Sequence, residues 1–192
     1  MKVEFDPEKH LYTVDGEPFP SVTQVLLSEG FVDTQWFTDY GRERGSLAHL
    51  CIHYEDTGEL DEATVDPALA PYLAAYRRFK RESGFVVSSS EVPLANPVYR
   101  FAGTPDKFGT FRDAECALLD VKTGAMPPWA AIQTAAYELL KGSPYKRFGL
   151  QLKADGSYKL HPFKDRQDKQ IFLSTLAVYQ WKNNNLKGRK AA

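Results

Sequence analysis

The sequence contains very little cysteine. Cys51 and Cys116 are its only two cysteines, and each lies in an apolar stretch. Two isolated thiols cannot build a four-cysteine zinc site or hold an iron–sulfur cluster, so those classes of protein are excluded. We expect both thiols to be reduced and to fill small spaces in the core, as is usual for a cytoplasmic protein.

Long apolar runs are also missing. No segment approaches the roughly 18 consecutive apolar residues that a transmembrane helix needs. The first residues carry charges where a secretory signal would be apolar. We therefore expect a protein of the cytoplasm that has no membrane partner.

Neither sign of charge is in clear excess. The 192 residues include 24 Lys and Arg against 25 Asp and Glu, for a net charge of −1. This balance does not exclude nucleic-acid binding, because binding depends on the local field and not on the sum. Any such affinity must come from a separate basic patch, helped by metal ions that offset carboxylates. The length suits a single domain over residues 1–192.

The pattern of apolar and turn-forming residues predicts an α/β protein with a mixed central sheet flanked by helices. Asp15-Gly16 marks a hairpin within residues 1–20, and Ser21 is a helix N-cap candidate. The basic tail, residues 187–192, is expected to fray. Helices are predicted over residues 42–56, 67–83, 129–141 and 165–184, and strands over 85–94, 98–103, 106–111, 116–121, 147–152 and 157–161.

The helix predicted over residues 42–56 has an apolar stripe. Leu47, Leu50, Cys51 and Tyr54 follow the spacing i, i+3, i+4 and i+7. Side chains at this spacing share one helix face, so we expect the stripe to be buried.

The segment with the most chemical information is the strand predicted over residues 116–121. Its dense apolar run is typical of a central strand buried on both faces. Asp120 and Lys122 stand at its end, two positions apart, so their side chains project from the same face. An ion pair that only orders the strand end is one interpretation. A binding or catalytic site is the other, because buried charges are rare unless they are paired or bound to something.

A second carboxylate precedes this pair in the chain. Asp106 lies fourteen residues before Asp120, a gap that fits strand, turn and strand. Asp106 and Asp120 can then converge from neighbouring strands. Two carboxylates with further oxygen ligands suit Mg²⁺ or Mn²⁺, and a nearby ammonium can stabilise charge that develops on a phosphate.

These residues resemble the signature of the PD-(D/E)XK nuclease superfamily. Pro105-Asp106, then Asp120-Val121-Lys122, is similar to its defining motif. Residues 133–137, Gln-Thr-Ala-Ala-Tyr, resemble the QxxxY motif of its RecB-like and phage-exonuclease branch. Residues 44–49, Arg-Gly-Ser-Leu-Ala-His, resemble the Arg-Gly-x-x-x-His helix of that branch. The opening Pro-Ser-Val-Thr of residues 20–23 is similar to one found in phage-type members.

The resemblance implies a role for each matching residue. Asp106, Asp120, His49 and the Val121 carbonyl would hold Mg²⁺ or Mn²⁺, and Lys122 would be the catalytic lysine. Glu91 stands where these proteins often carry a further acidic ligand. The residues implied in DNA binding are Gln133, Tyr137, Lys107 and Arg44.

The resemblance also implies a fold and a function. The fold would be the three-layer core of restriction endonucleases, and the activity a metal-dependent exonuclease of phage or prophage type in recombination or end processing. DNA would be the partner, in the host cytoplasm if a phage encodes the protein. The iron–sulfur cysteines of CRISPR-associated members and all helicase motifs are missing, so a helicase or recombination partner would be a separate chain. A homo-oligomer remains open.

Several alternatives compete with these assignments. The protein could keep the nuclease fold and bind DNA or a recombination partner without cutting. His49 could be a hydrogen-bonded core histidine or, with His53, a zinc ligand, and Glu91 a surface residue. Gln133 and Tyr137 border an apolar helix face and could serve packing alone. Three basic clusters could follow phosphates or be ordinary solvated surface: Arg77, Arg78, Lys80 and Arg81; Lys164, Arg166 and Lys169; Lys187, Arg189 and Lys190.

Overall fold

The computed structural model describes residues 1–33, 35, 38–113 and 115–186. Runs of short β-strands are separated by one or more helices along the chain, as the apolar periodicity predicts. A 3₁₀ turn, Glu62–Thr64, lies between the second and third helices. The helices are α1 Val22–Ser28, α2 Asp39–Thr57, α3 Ala70–Ser83, α4 Ala130–Lys141 and α5 Gln167–Asn185. The strands are β1 Val3–Asp6, β2 Leu11–Val14, β3 Glu17–Phe19, β4 Val86–Ser90, β5 Leu94–Asn96, β6 Phe101–Gly103, β7 Lys107–Thr110, β8 Cys116–Lys122, β9 Lys146–Leu152 and β10 Tyr158–Phe163.

The main sheet is mixed, with five strands in the order β10-β9-β8-β7-β4. β8 and β9 are parallel, and the other neighbours are antiparallel. A parallel pair needs a long crossover connection, which α4 supplies. β8 lies at the centre, as its apolar run predicts, with Ala117 to Val121 all buried.

Helices cover both faces of this sheet. Leu118 packs on one face with α1, α4 and α5. Its neighbours Ala117 and Leu119 point to the other face, where α2 and α3 cover them. The alternation of β8 thus separates two apolar cores and gives three layers. This is the expected mixed α/β fold.

A smaller lobe forms from the first residues. β1, β2 and β3 make an antiparallel sheet, and β5 pairs with β6 beside it. Tyr12, Phe19 and Ala102 share a small core between them. Ser21 caps α1 by accepting a hydrogen bond from the Gln24 backbone amide, and the Gln24 side chain completes the capping box. The expected hairpin and cap are therefore confirmed.

Several element ends differ from expectation: β6 begins at Phe101 and not at residue 98, and α2 begins at Asp39 and not at residue 42. The strand predicted over residues 85–94 divides into β4 and β5, because Glu91 has a φ of 52° and interrupts extended backbone. α3 begins at Ala70 and not at residue 67, since residues 67–69 form a turn. The basic tail, residues 187–192, lies outside the described residues.

The apolar stripe predicted on α2 is wrong. Leu47 and Leu50 are 42% and 45% exposed, and Tyr54 is also exposed. Ala48 and Ile52 are the residues of α2 that are buried. The helix is rotated from the expected orientation because its His49 side faces the carboxylates of the sheet.

The two cysteines do not fill the core as expected. Cys51 is half-buried and Cys116 is exposed, and both are free thiols. Cys116 is the first residue of β8, where the strand has not yet entered the core.

Separately, none of the helices among the described residues is long and apolar enough to cross a membrane.

Candidate active site

Asp106 and Asp120 meet across two neighbouring antiparallel strands. Lys107 of β7 pairs with Leu119 of β8, and one further step along this register places Asp106 opposite Asp120. Both carboxylates are buried. The Asp106 Oδ2 atom accepts a hydrogen bond of 2.6 Å from the Val121 backbone amide. The sequence spacing therefore brought the two acids together as expected.

Lys122 lies directly beside Asp120. Its Nζ atom is 2.6 Å from Asp120 Oδ2 and 3.4 Å from Gln133 Oε1, and it sits 5.5 Å from the centroid of the Trp129 ring. Strand alternation puts Asp120 and Lys122 on the same face, toward α4. The ammonium is half-buried, so it is held in place but still reachable from the site.

His49 and Glu91 complete the cluster from two other elements. His49 Nδ1 lies 3.3 Å from Glu91 Oε1 and 3.6 Å from Asp106 Oδ1. His49 Nε2 lies 3.0 Å from the Val121 carbonyl oxygen and, since a carbonyl only accepts, donates to it. One ligand atom from each of His49, Glu91 and Asp106 fits within 4.8 Å of the others. His53 is not part of this group, because its Nδ1 bonds the Ser90 hydroxyl.

Glu91 reaches the cluster through two irregularities of β4. The pairing with β7 shifts between Val87 and Ser89, so Ser88 is an extra residue that makes a β-bulge. Glu91 itself has left-handed φ, which a residue with a Cβ adopts rarely. Strained backbone of this kind tends to occur at functional sites. The two features turn the Glu91 side chain toward His49.

The pKa values of the cluster are shifted because its carboxyl groups are buried and lie close together. Burial, only partly offset by Lys122, raises the pKa of Asp120 to about 6. Burial also raises the pKa of Asp106. Burial lowers the pKa of His49, but Asp106 and Glu91 outweigh it and bring that pKa to about 9. The site therefore favours a positive charge among its carboxylates.

The donor set fits a hard divalent cation. Both Oδ atoms of Asp120 are fully buried, and no described donor makes a well-directed hydrogen bond to them despite the Lys122 ion pair. Buried carboxylate oxygens are normally hydrogen-bonded or metal-bound. Carboxylates from three residues with the Val121 carbonyl offer the oxygen ligands that Mg²⁺ and Mn²⁺ prefer. Among the described residues this cluster holds one histidine and no cysteine, fewer nitrogen and sulfur ligands than zinc sites usually have.

Gln133 and Tyr137 connect the site to α4. Gln133 accepts from Lys122 through Oε1, and its Nε2 donates to the Tyr137 hydroxyl over 3.0 Å. The Tyr137 ring is 4% exposed and packs on Gly103, where a Cβ would come within 2.9 Å of the ring. Gly103 is therefore required for close packing. In this arrangement the pair positions Lys122, and the ring offers little surface for stacking on DNA.

The position of Lys107 differs from the one expected. It was expected to contact a phosphate, but its side chain is 1% exposed. Strand alternation turns it away from Asp106, and its Nζ lies 3.1 Å from Asp56 Oδ2 and donates to the Ser90 hydroxyl over 2.6 Å. Lys107 and Ser90 thus brace the strands that carry Asp106 and Glu91. No pattern in the sequence singled out Asp56 or Ser90 beyond their polar character.

We expect Lys107→Met to destabilise the protein without weakening DNA affinity per folded molecule. Breaking a buried ion pair from one side costs roughly 3–5 kcal/mol, and Lys80, 2.8 Å from Asp56, softens the loss. Thermal unfolding should shift down by roughly 5–15 °C. The exposed Lys159→Met is the matched control. Weaker DNA binding at unchanged melting temperature would restore Lys107 as a phosphate contact.

Arg44 and the basic helix clusters stand outside the carboxylate group. The Arg44 guanidinium lies 5.5 Å from the Tyr72 ring centroid and 5.7 Å from that of Tyr40, which favours a packing role. Arg77 pairs with Glu55 and Glu62. Other clustered cations are paired as well, as Arg78 with Glu82, Lys80 with Asp56 and Lys169 with Glu138.

Comparison with known proteins shows the fold. No protein-family model and no curated protein sequence matches the chain. A candidate exonuclease from Eubacterium rectale has a similar structure, with a TM-score of 0.56 at 11% identity over 93% of this chain and 77% of that one. An alkaline exonuclease from Laribacter hongkongensis aligns at a TM-score of 0.35 and 15% identity over 90% of this chain and 94% of that one. The same enzyme in complex with dAMP aligns at 0.33 and 14% identity, over 88% and 94%. The mixed sheet flanked by helices is thus a fold found in a nuclease-like protein.

Proposed function

We propose that this protein is a divalent-metal-dependent deoxyribonuclease of the PD-(D/E)XK superfamily. The observation that carries the proposal is the Asp120 carboxylate, buried at the end of a central strand, opposite Asp106 and beside Lys122. A protein does not gain stability by burying a carboxylate with such poor hydrogen bonding. A cation bound between Asp106 and Asp120 would account for the burial of this carboxylate.

The metal ligands would come from four elements. Asp106, Asp120 and the Val121 carbonyl face the site from the two strands, His49 joins from α2, and Glu91 from the end of β4. We propose Mg²⁺ or Mn²⁺ because the set is dominated by oxygen. When bound, such an ion neutralises a phosphate and lowers the pKa of a bound water.

Lys122 would act on the substrate and not on the fold. Its ammonium sits on the Asp120 side of the cluster, oriented by Gln133 and by the Trp129 ring. A fixed ammonium in a partly buried site stabilises negative charge that develops on a phosphate oxygen without reorganising first. Gln133 and Tyr137 would then be positioning residues.

We further propose an exonuclease over an endonuclease. The similarity to the candidate exonuclease supports this, because the chain shares its fold over 93% of its length. A role of phage type in recombination or DNA end processing is part of the proposal, with DNA as partner and any helicase or recombination protein as a separate chain.

The alternative is a nuclease-fold protein that binds DNA without cutting. Such a protein has no need for the complete set of Asp106, Asp120 and Lys122 in one buried cluster. The geometry therefore favours the enzyme.

Incubation of the protein with linear duplex and single-stranded DNA tests the proposal. We expect degradation from an end in Mg²⁺ or Mn²⁺, and none with chelator or with covalently closed circular DNA. The paired control is Asp106→Asn, which keeps the size of the side chain and removes its charge. Binding of DNA with no cleavage in either metal would favour the non-cutting alternative.

A further inference from the structure

A cavity of about 280 Å³ opens beside the metal-binding cluster. Glu91 belongs to both, since it lines the cavity and also lies within ligand distance of His49. Tyr137, which bonds Gln133, also lines the cavity. The cavity therefore begins where the proposed metal and scissile phosphate would lie, and leads away from them toward the N-terminal lobe.

Aromatic rings from the N-terminal sheet form one side of this cavity. Phe5 stacks on Tyr12 with ring centroids 4.4 Å apart, and His10 stands edge-on to Phe5 at 5.4 Å. His10 is exposed and has a φ of 50°, and its carbonyl accepts a hydrogen bond from the Gln24 side chain. The strained turn thus presents an aromatic ring at the mouth of the cavity.

Apart from Glu91, the rest of the lining is uncharged and mixes Val22 and Gly103 with polar residues. Thr104 and Thr23 contribute hydroxyls, and the Thr104 hydroxyl is 2.8 Å from that of Tyr12. Among the described lining residues none is lysine or arginine, so the cavity is not suited to a phosphate. A flat, neutral heteroaromatic group that accepts and donates hydrogen bonds fits this environment. The volume lies just below the roughly 300–1,000 Å³ of ordinary ligand pockets, which leaves room for one such ring system and not for a base pair.

We propose that this cavity binds the nucleobase of the nucleotide next to the scissile phosphate. The inference rests on the proposed nuclease function and names the part of the substrate that the cavity takes. One nucleotide would then span Glu91, with its phosphate at the metal and its base among Phe5, His10 and Tyr12. Stacking on aromatic rings tolerates any base, because every base has a π-face. The hydroxyls of Thr23 and Thr104 can rotate to donate or to accept a hydrogen bond, so they do not select one base either.

One consequence concerns the state of the DNA end. A base cannot enter this cavity while it is paired and stacked in a duplex, so it must first be unpaired. The substrate class would be a single-stranded or frayed end. A terminal mismatch should raise kcat/KM relative to a fully paired end, because the cost of opening is already met.

The direct test compares short single strands that differ at one terminal nucleotide. One strand has a normal base at both ends, and two others have an abasic residue at the 5′ or the 3′ end. Affinity is measured by anisotropy in Ca²⁺ in place of the catalytic metal. We expect one of the two abasic strands to bind about tenfold more weakly than the normal strand.

Variants assign that difference to the cavity. Thr23→Trp fills it and should abolish the tenfold difference, while the melting-temperature shift in Mn²⁺ stays as in the wild type. Thr13→Trp is the matched control and should keep the difference, because Thr13 follows Tyr12 on β2 and its side chain lies on the opposite face of that strand. His10→Gly removes the ring at the mouth and accepts the left-handed φ, so it keeps the fold and should reduce the difference.

Two failures are distinguishable. Equal affinity for all three strands, with metal-dependent cleavage intact, would overturn the base cavity and leave the nuclease proposal standing. A wild-type protein that neither cuts nor binds any of these strands would overturn the proposed function and the cavity with it.

Discussion

Asp120→Asn is expected to raise the melting temperature of the metal-free protein at pH 8 and at the same time to abolish cleavage. Burial raises the pKa of this carboxyl to about 6 from 3.8, even with Lys122 beside it. A carboxyl whose pKa is raised by folding binds protons more tightly in the folded state. The stability penalty is therefore absent below pH 3.8, grows as the pH rises toward about 6, and is complete at pH 8.

Asparagine has the size of aspartate but carries no charge to bury. The variant should melt a few degrees above the wild type at pH 8, and the gap should close as the pH is lowered toward 4. Added Mn²⁺ should raise the melting temperature of the wild type and leave that of the variant unchanged, because a ligand is lost. Differential scanning calorimetry across pH, with and without Mn²⁺, measures both effects.

Asp39→Asn is the control for this experiment, since the Asp39 side chain is 97% exposed. It should change neither the pH dependence nor the response to Mn²⁺. If Asp120 and Lys122 only order the strand end, the opposite pattern is expected. Asp120→Asn would then lower the melting temperature and keep the Mn²⁺ shift.

Lys122→Ala is expected to cut DNA at least about a hundredfold more slowly while metal and DNA bind nearly normally. Loss of one preorganised electrostatic donor costs about 10²–10³ in rate, and an interaction made only in the transition state lowers kcat and kcat/KM together. Lys122→Arg should rescue little. The planar guanidinium is wider than the ammonium that fits between Asp120 and Gln133.

Single-turnover cleavage across a Mn²⁺ titration distinguishes the two roles of Lys122. Recovery of the rate at saturating Mn²⁺ would mean that the lysine only supports metal binding through Asp120. A rate that stays low at saturation supports charge stabilisation in the transition state. Lys159→Ala, an exposed lysine of β10, is the control for nonspecific loss of positive charge.

The carboxylate pair and the lysine could be predicted because strand geometry is simple. A dense apolar run identified the central strand, alternation put Asp120 and Lys122 on one face, and the spacing to Asp106 fitted a neighbouring strand. The same alternation excludes Lys107 from that face. Its charge and its position next to Asp106 suggested a phosphate contact, but the pleat directs it to the opposite side.

The orientation of α2 was harder to predict. Leu47, Leu50 and Tyr54 satisfy helical periodicity, yet the face that meets the sheet carries Ala48, His49 and Ile52. Because Ala48 is small and His49 is polar, this face does not appear in the sequence as an apolar stripe. Where a helix face is used for chemistry, the hydrophobic pattern can therefore point the wrong way.

Glu91 depends on a backbone feature that composition does not reveal. Its position near a strand end was visible, but the bulge at Ser88 and the left-handed φ of Glu91 follow from tertiary packing. The buried Lys107–Asp56 pair likewise joins residues far apart in the chain. Neither could be obtained from local propensity.

The bulge in β4 has a second consequence, for self-association. β4 is an edge strand of the main sheet, and an exposed, regular edge is a template on which another chain can add a strand. The extra residue at Ser88 disrupts the ladder and increases the twist, while Pro162 removes a backbone donor from β10 at the other edge. Both edges of the sheet therefore resist fibrillar stacking. The irregularity that turns Glu91 toward the proposed metal site also makes β4 a poorer template for strand addition.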